Sequence, residues 1–331
     1  MTRNLIAGAA AVLLLAAAPA AHAQTPLASG TTTLKLDRAV ARTLSANGVR
    51  VAPIKPARGN VSFPVTGGSL DGARGTIEHS GGLRFSAGGK SLSARSFTIK
   101  LARRSTLTAR VGSTRVTLLT VDAKRAKITR AGLATRISGV RVALSAAAAK
   151  ALNRTFGVHL FRAGLELGSV SVRVEPETVS LASGSTSLTL DPGAGAALQS
   201  LGIAAAPIGS DALAFPITGG SVNAKTYAGT IEHSGGIALT KGATRVELTS
   251  FTIGIDDTPE LTALVGGQRV PILSVDLSAL KASVKGRTIT LDGAALKLTA
   301  AAAGALNQAF GTTAFTEGLL LGTATVKATA E

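Results

Sequence analysis

The chain repeats itself at a spacing of 154 residues, and this duplication restricts its architecture more than any other feature. The block Gly75-Thr76-Ile77-Glu78-His79-Ser80-Gly81-Gly82 returns unchanged at 229–236. Leu36-Asp37 recurs as Leu190-Asp191, Ser96-Phe97-Thr98-Ile99 as 250–253, Leu107-Thr108-Ala109 as 261–263, and Ala151-Leu152-Asn153 as 305–307. Phe63-Pro64-Val65-Thr66-Gly67-Gly68 answers to Phe215-Pro216-Ile217-Thr218-Gly219-Gly220 two residues out of step, and the step is restored downstream, as expected of loop-length changes between fixed strands. A period this long means duplicated domains and not a solenoid of short units. The expected division is a leader at 1–23, one domain at 24–177 and a second at 178–331.

Each copy reads mostly as strand. Phe97, Ile99 and Leu101 alternate with polar neighbours, as do Leu107, Ala109 and Val111, and Gly-rich pieces separate the runs at hairpin distances. Two short helices interrupt each copy. Asp37 is placed to cap the first, with Val40 and Leu44 on its buried face and Gly48 at its end. The second copy has Asp191-Pro192 there, with proline at the first helical position. The other helix starts at Ser145 or Thr299 and stops at Gly157 or Gly311. The expected fold class is therefore all-β: two tandem β-sandwich-like domains, each carrying two short helices.

Composition narrows the chemistry. The 331 residues include no Cys, no Trp, one Tyr and one Met, the initiator. Disulfides, thiolate metal sites, iron–sulfur clusters and a cysteine nucleophile are excluded together. Arg3, the apolar run Leu5 to Ala18 and the small-x-small sequence Ala21-His22-Ala23 predict a cleaved secretory signal. A secreted protein of the bacterial cell envelope is the expected setting.

Charge is divided unequally between the copies. Residues 24–177 hold 25 Lys and Arg against 7 Asp and Glu, a net +18, whereas residues 178–331 hold 9 against 11, a net −2. So basic a domain attracts polyanions, and for an exported chain an anionic envelope polymer or lipid surface is the expected partner. Nucleic acid is disfavoured by export, by the scarcity of stacking aromatics and by the absence of a reader motif. Self-association, with the basic copy of one molecule on the near-neutral copy of another, is a further option. The bland alternative is a surface charged for solubility.

Side chains suited to ligation or proton transfer are His79, His159, His233 and Tyr227. His79 and His233, followed by Ser80 or Ser234 and a glycine pair, make the candidate site, because paired glycines let another backbone or a flat ligand approach closely. The competing reading is a histidine that ties down a tight turn through ring-to-backbone hydrogen bonds. Glu78 and Glu232 adjoin these histidines, but neighbouring strand residues point to opposite faces, which argues against a Glu–His pair. No nucleophile elbow, His-Glu-x-x-His or phosphate loop occurs, and the expectation is that the chain is not an enzyme.

The ordered string of Gly-Thr-Ile-Glu-His-Ser-Gly-Gly-Leu (75–83), the strand at 96–99, Leu107-Thr108-Ala109, Leu119-Thr120-Val121-Asp122, Gly139 to Ser145 before an Ala-rich helix, and Phe161-Arg162-Ala163-Gly164-Leu165 resembles the HtaA-type domain of actinobacterial haem-acquisition surface proteins. The second copy shows the same order. The resemblance implies a β-rich fold in which a Tyr binds haem iron with a supporting His at the position of His79 and His233. Here the early helix, Leu36 to Leu44, contains no Tyr, and neither does its counterpart. Haem, held through His79 and His233 with Arg residues on the propionates, is thus the alternative ligand, and Tyr227 the candidate for a relocated donor.

Overall fold

The computed structural model describes residues 24–59, 61–209 and 213–331. The expected signal segment, 1–23, lies outside the described residues. In the first copy the order is β1 (Thr25–Leu36), α1 (Arg38–Ala46), β2 (Arg50–Ile54), β3 (Ser62–Asp71), β4 (Arg74–His79), β5 (Gly82–Ala87), β6 (Lys90–Leu101), β7 (Ser105–Val111), β8 (Thr114–Asp122), β9 (Lys127–Ala131), β10 (Ala134–Leu144), α2 (Ala146–Phe156) and β11 (Glu166–Pro176). The second copy follows suit. It runs β12 (Thr178–Leu190), α3 (Pro192–Ser200), β13 (Ala204–Ile208), β14 (Ala214–Asn223), β15 (Gly229–His233), β16 (Gly236–Lys241), β17 (Thr244–Ile255), β18 (Glu260–Val265), β19 (Gln268–Asp276), β20 (Lys281–Lys285), β21 (Thr288–Leu298), α4 (Ala300–Phe310) and β22 (Leu320–Ala330).

The helices form where capping chemistry permits. The Asp37 carboxylate accepts from the amides of Ala39 and Val40, and Ser145 Oγ accepts from the Ala148 amide. Gly157 ends α2 in the left-handed conformation, at φ +69°, which a side chain would resist. The same devices recur at Asp191, Thr299 and Gly311.

The sheets close into barrels, which corrects the expectation of sandwiches. All pairings are antiparallel, in the order β6-β4-β3-β1-β11-β10-β8-β7, and β7 pairs back to β6 to complete a ring of eight. β2 and β5 extend this ring beside the N-terminal half of β6, and β9 flanks β10. Strand β6 makes closure possible: on one side it meets β5 through Lys90–Arg95 and β4 through Thr98–Leu101, and on the other it meets β7. Register shifts on β3, β6, β8 and β10 bend the strands sharply enough to close the ring. In-out alternation is the same in a barrel and a sandwich, so the strand pattern alone could not separate them.

Each barrel has its own core, built around Ile77, Ile99, Val142 and Val174 in the first and Ile231, Ile253, Leu298 and Val326 in the second. One residue, Glu177, separates the last strand of the first barrel from the first of the second. Its amide donates to the Pro26 carbonyl and its carbonyl accepts from the Ala224 amide, so the joint is bonded to both barrels. Leu133 of the first barrel packs against the core of the second. No helix among the described residues is long and apolar enough to cross a membrane.

Candidate functional site

β1 and β4 both pair with β3, and they bring Thr32 and His79 to the inner surface of the first barrel. His79 is the last residue of β4, and both it and Thr32 are buried, at 4% and 3% exposure. Its Nδ1 lies 3.1 Å from the Phe97 carbonyl oxygen and its Nε2 2.6 Å from Thr32 Oγ1. A carbonyl only accepts, so Nδ1 carries the proton and Nε2 accepts from the threonine hydroxyl. The second barrel repeats the bridge, with His233 at 3.2 Å from the Phe251 carbonyl and 2.7 Å from Thr186 Oγ1. Phe63 and Phe97 meet edge to face at 4.9 Å beside it, as do Phe215 and Phe251.

Burial pushes the His79 imidazole down to about 4 from its ordinary 6.5, a shift partly opposed by the Phe97 carbonyl. His233 is lowered for the same reasons, burial first and the Phe251 carbonyl against it. Both rings are neutral at pH 7, with both nitrogens engaged. Each ring is pinned across strands, to a carbonyl and a threonine hydroxyl far away in sequence, and not within the turn that follows it.

A cavity nonetheless adjoins each ring. In the first barrel it measures about 220 Å³ and is lined by Thr32, His79, Leu34, Phe97, Leu119 and Leu152 with further aliphatic side chains. In the second it measures about 300 Å³ around Thr186, His233, Leu239, Phe251 and Leu298. No charged side chain lines either one among the described residues. Both barrels retain the space.

The glycine pair serves a neighbouring backbone and not a flat ligand. A Cβ on Gly82 would stand 2.2 Å from the Ala94 carbonyl oxygen on β6, and one on Gly81, at φ +82°, would stand 2.7 Å from the Ala57 nitrogen. We expect Gly82→Ala to weaken the β5–β6 pairing and cost about 3 kcal/mol, because the clash is with rigid backbone. A chemical-denaturation midpoint unchanged from wild type would contradict this.

The other predicted residues lie elsewhere. Ser80 and Ser234 sit at the bends after the two histidines, their amides donating to the carbonyls of Pro64 and Pro216, and neither lines a cavity. Tyr227 occupies the β14–β15 turn at φ +62°, half-buried against the second core. All of β15 separates it from His233, about 20 Å along an extended strand, so it cannot share an iron with that histidine. Glu78 and Glu232 are exposed on the outer face, and His159 is exposed after α2. Thr32 and Thr186 escaped sequence reasoning, although Thr32, Leu34 and Leu36 recur as Thr186, Leu188 and Leu190 at the 154-residue offset.

Haem fits these residues poorly. Among the described residues, the imidazole is the only strong axial donor at either cavity, and both its nitrogens are occupied. No Tyr reaches either cavity among the described residues.

No protein-family model matches the chain, and no curated protein matches it. Among solved structures it is similar to the C-terminal domain of HtaA from Corynebacterium glutamicum, at 20% identity and a TM-score of 0.36, over 46% of this chain and 99% of that domain. It is also similar to a domain-swapped dimer of a histidine-to-alanine variant of that domain, at 22% identity and a TM-score of 0.31, over 43% of this chain and 96% of that one.

Proposed function

We propose that the chain is a secreted, non-enzymatic binding module of the bacterial cell envelope, built from two HtaA-like domains at 24–177 and 178–331 and attached to anionic envelope polymer or lipid through the charge of the first. The observation that carries this reading is a row of arginines on the outer face of the first barrel. Arg95 on β6 stands directly opposite Arg110 on β7, which stands opposite Arg115 on β8. All three are exposed, and none has a carboxylate within ion-pair distance among the described residues. Like charges facing one another across strands are destabilising, so the row is costly unless an anion meets it.

The second barrel shows which arginine is structural. Arg115 spans the Ser96 carbonyl and the hydroxyls of Thr98 and Thr108, and Arg269 repeats all three bonds. Arg95 and Arg110, in contrast, become Thr249 and Leu264 in the matching register. The surplus charge therefore sits where strand pairing does not need it. Binding to purified anionic wall polymer should fall about tenfold between 50 and 500 mM salt, and R95Q/R110Q should lose a similar factor at low salt. Salt-independent binding, or binding unchanged by the double substitution, would remove the support for charge-driven attachment.

A further inference from the structure

We propose that the cavity of the first barrel binds a single-chain amphiphile, an aliphatic tail with an anionic head of the fatty-acid type, and that the second barrel's cavity takes the neutral counterpart. The inference deepens the binding-module reading above and rests on it. The walls set the tail. Apart from the Thr32–His79 pair, whose hydrogen-bonding groups are turned on each other, the first cavity offers only aliphatic and phenyl surface. A carboxylate drawn inside would lose its hydration with no cation to receive it. An alkyl chain meets no such penalty, and apolar cavities of about 150 Å³ already accept small hydrocarbons.

The rim sets the head. Ala147 and Ala151 of α2 both line the first cavity, and Ala147 is exposed, so this helix borders the opening. Helix α2 turns Ala147, Ala148, Ala151 and Leu152 to the cavity and carries Lys150 and Arg154 on its flank toward solvent. Both cations are exposed, and neither is ion-paired among the described residues. In α4 the corresponding positions are Gly304 and Gln308. Lys241 does reach α4, but its ammonium donates to the Phe310 carbonyl. An anionic head emerging beside α2 meets two cations, while one emerging beside α4 meets none in the same place.

Calorimetric titration of residues 24–331 with dodecanoate and with 1-dodecanol, both below their aggregation limits, tests this. Wild type should bind two equivalents of each, and one site should prefer dodecanoate by about fivefold in low salt. K150Q/R154Q should abolish that preference and leave dodecanol unaffected, and A151F, which fills the first cavity, should remove one equivalent. Failure of a folded chain to bind either ligand would overturn the proposal, as would a dodecanoate preference that survives K150Q/R154Q. Haemin titrated in parallel should give no saturable Soret shift, and a saturable shift would overturn the aliphatic assignment in favour of a porphyrin. Salt-sensitive wall-polymer binding through Arg95 and Arg110 is read separately, so loss of the amphiphile result alone leaves the envelope reading standing.

Discussion

Replacing His79 with alanine is expected to destabilise the first barrel by about 3 kcal/mol, and His233→Ala the second by a similar amount. The substitution removes the group that meets both the Thr32 hydroxyl and the Phe97 carbonyl, whose residues are buried. A buried polar group left unmatched costs about 1–3 kcal/mol, and the lost imidazole also enlarges an apolar cavity. Thr32→Val should cost less, about 1–2 kcal/mol, because it strands only Nε2. The two barrels can be read separately. Tyr227 is the sole Tyr, there is no Trp, and Tyr227 packs on the second core, so tyrosine fluorescence follows the second barrel while far-UV dichroism follows both. H233A should shift the fluorescence transition, and H79A should shift the dichroism transition while leaving fluorescence in place. Equal midpoints for wild type and both variants would show that the Thr–His–carbonyl bridge is not a structural element.

Acidification should weaken the fold between pH 6.5 and about 4. The His79 ring is neutral in the barrel with its pKa depressed to about 4, whereas an unfolded histidine takes up a proton near 6.5. In that window the unfolded state binds more protons than the folded one, so stability falls as pH falls, by about 1.4 kcal/mol per pH unit while His79 is in its titration range. The loss from His79 totals about 3 kcal/mol and levels off below pH 4. His233, shifted in the same direction, adds a loss of the same sign to the second barrel. Asp276 acts lower on the scale: its hydrogen bond to Lys297 comes first among the causes holding its carboxyl down, and that contribution is lost only below the ordinary carboxylate range. Denaturant midpoints measured from pH 7 to 4 should therefore decline in wild type, and the dichroism slope should flatten in H79Q. A flat wild-type profile would contradict burial of neutral imidazoles.

Much of the local structure was legible in the sequence. The 154-residue repeat located both copies, and Asp37, Ser145, Gly157 and their counterparts marked helix ends because capping depends on residues only a few positions apart. Alternation at 97–101 and 107–111 placed strands and faces, and it correctly separated Glu78 from His79. The division of charge was a matter of counting. That those charges line up as Arg95, Arg110 and Arg115 across three strands was not, since it required the register of β6, β7 and β8.

What the sequence by itself determined is whatever short-range chemistry dictates: strands, turns, caps, the duplication and the absence of thiol chemistry. Only the tertiary structure decided that each sheet closes through β6–β7, that His79 finds Thr32 across 47 residues of chain, and that Tyr227 stands a whole strand away from His233. Closure depends on small register shifts accumulated over eight strands, and a histidine's role depends on which groups fold against its two nitrogens. Neither is encoded in spacing along the chain, because both arise from contacts whose partners are distant in sequence and are selected by burial.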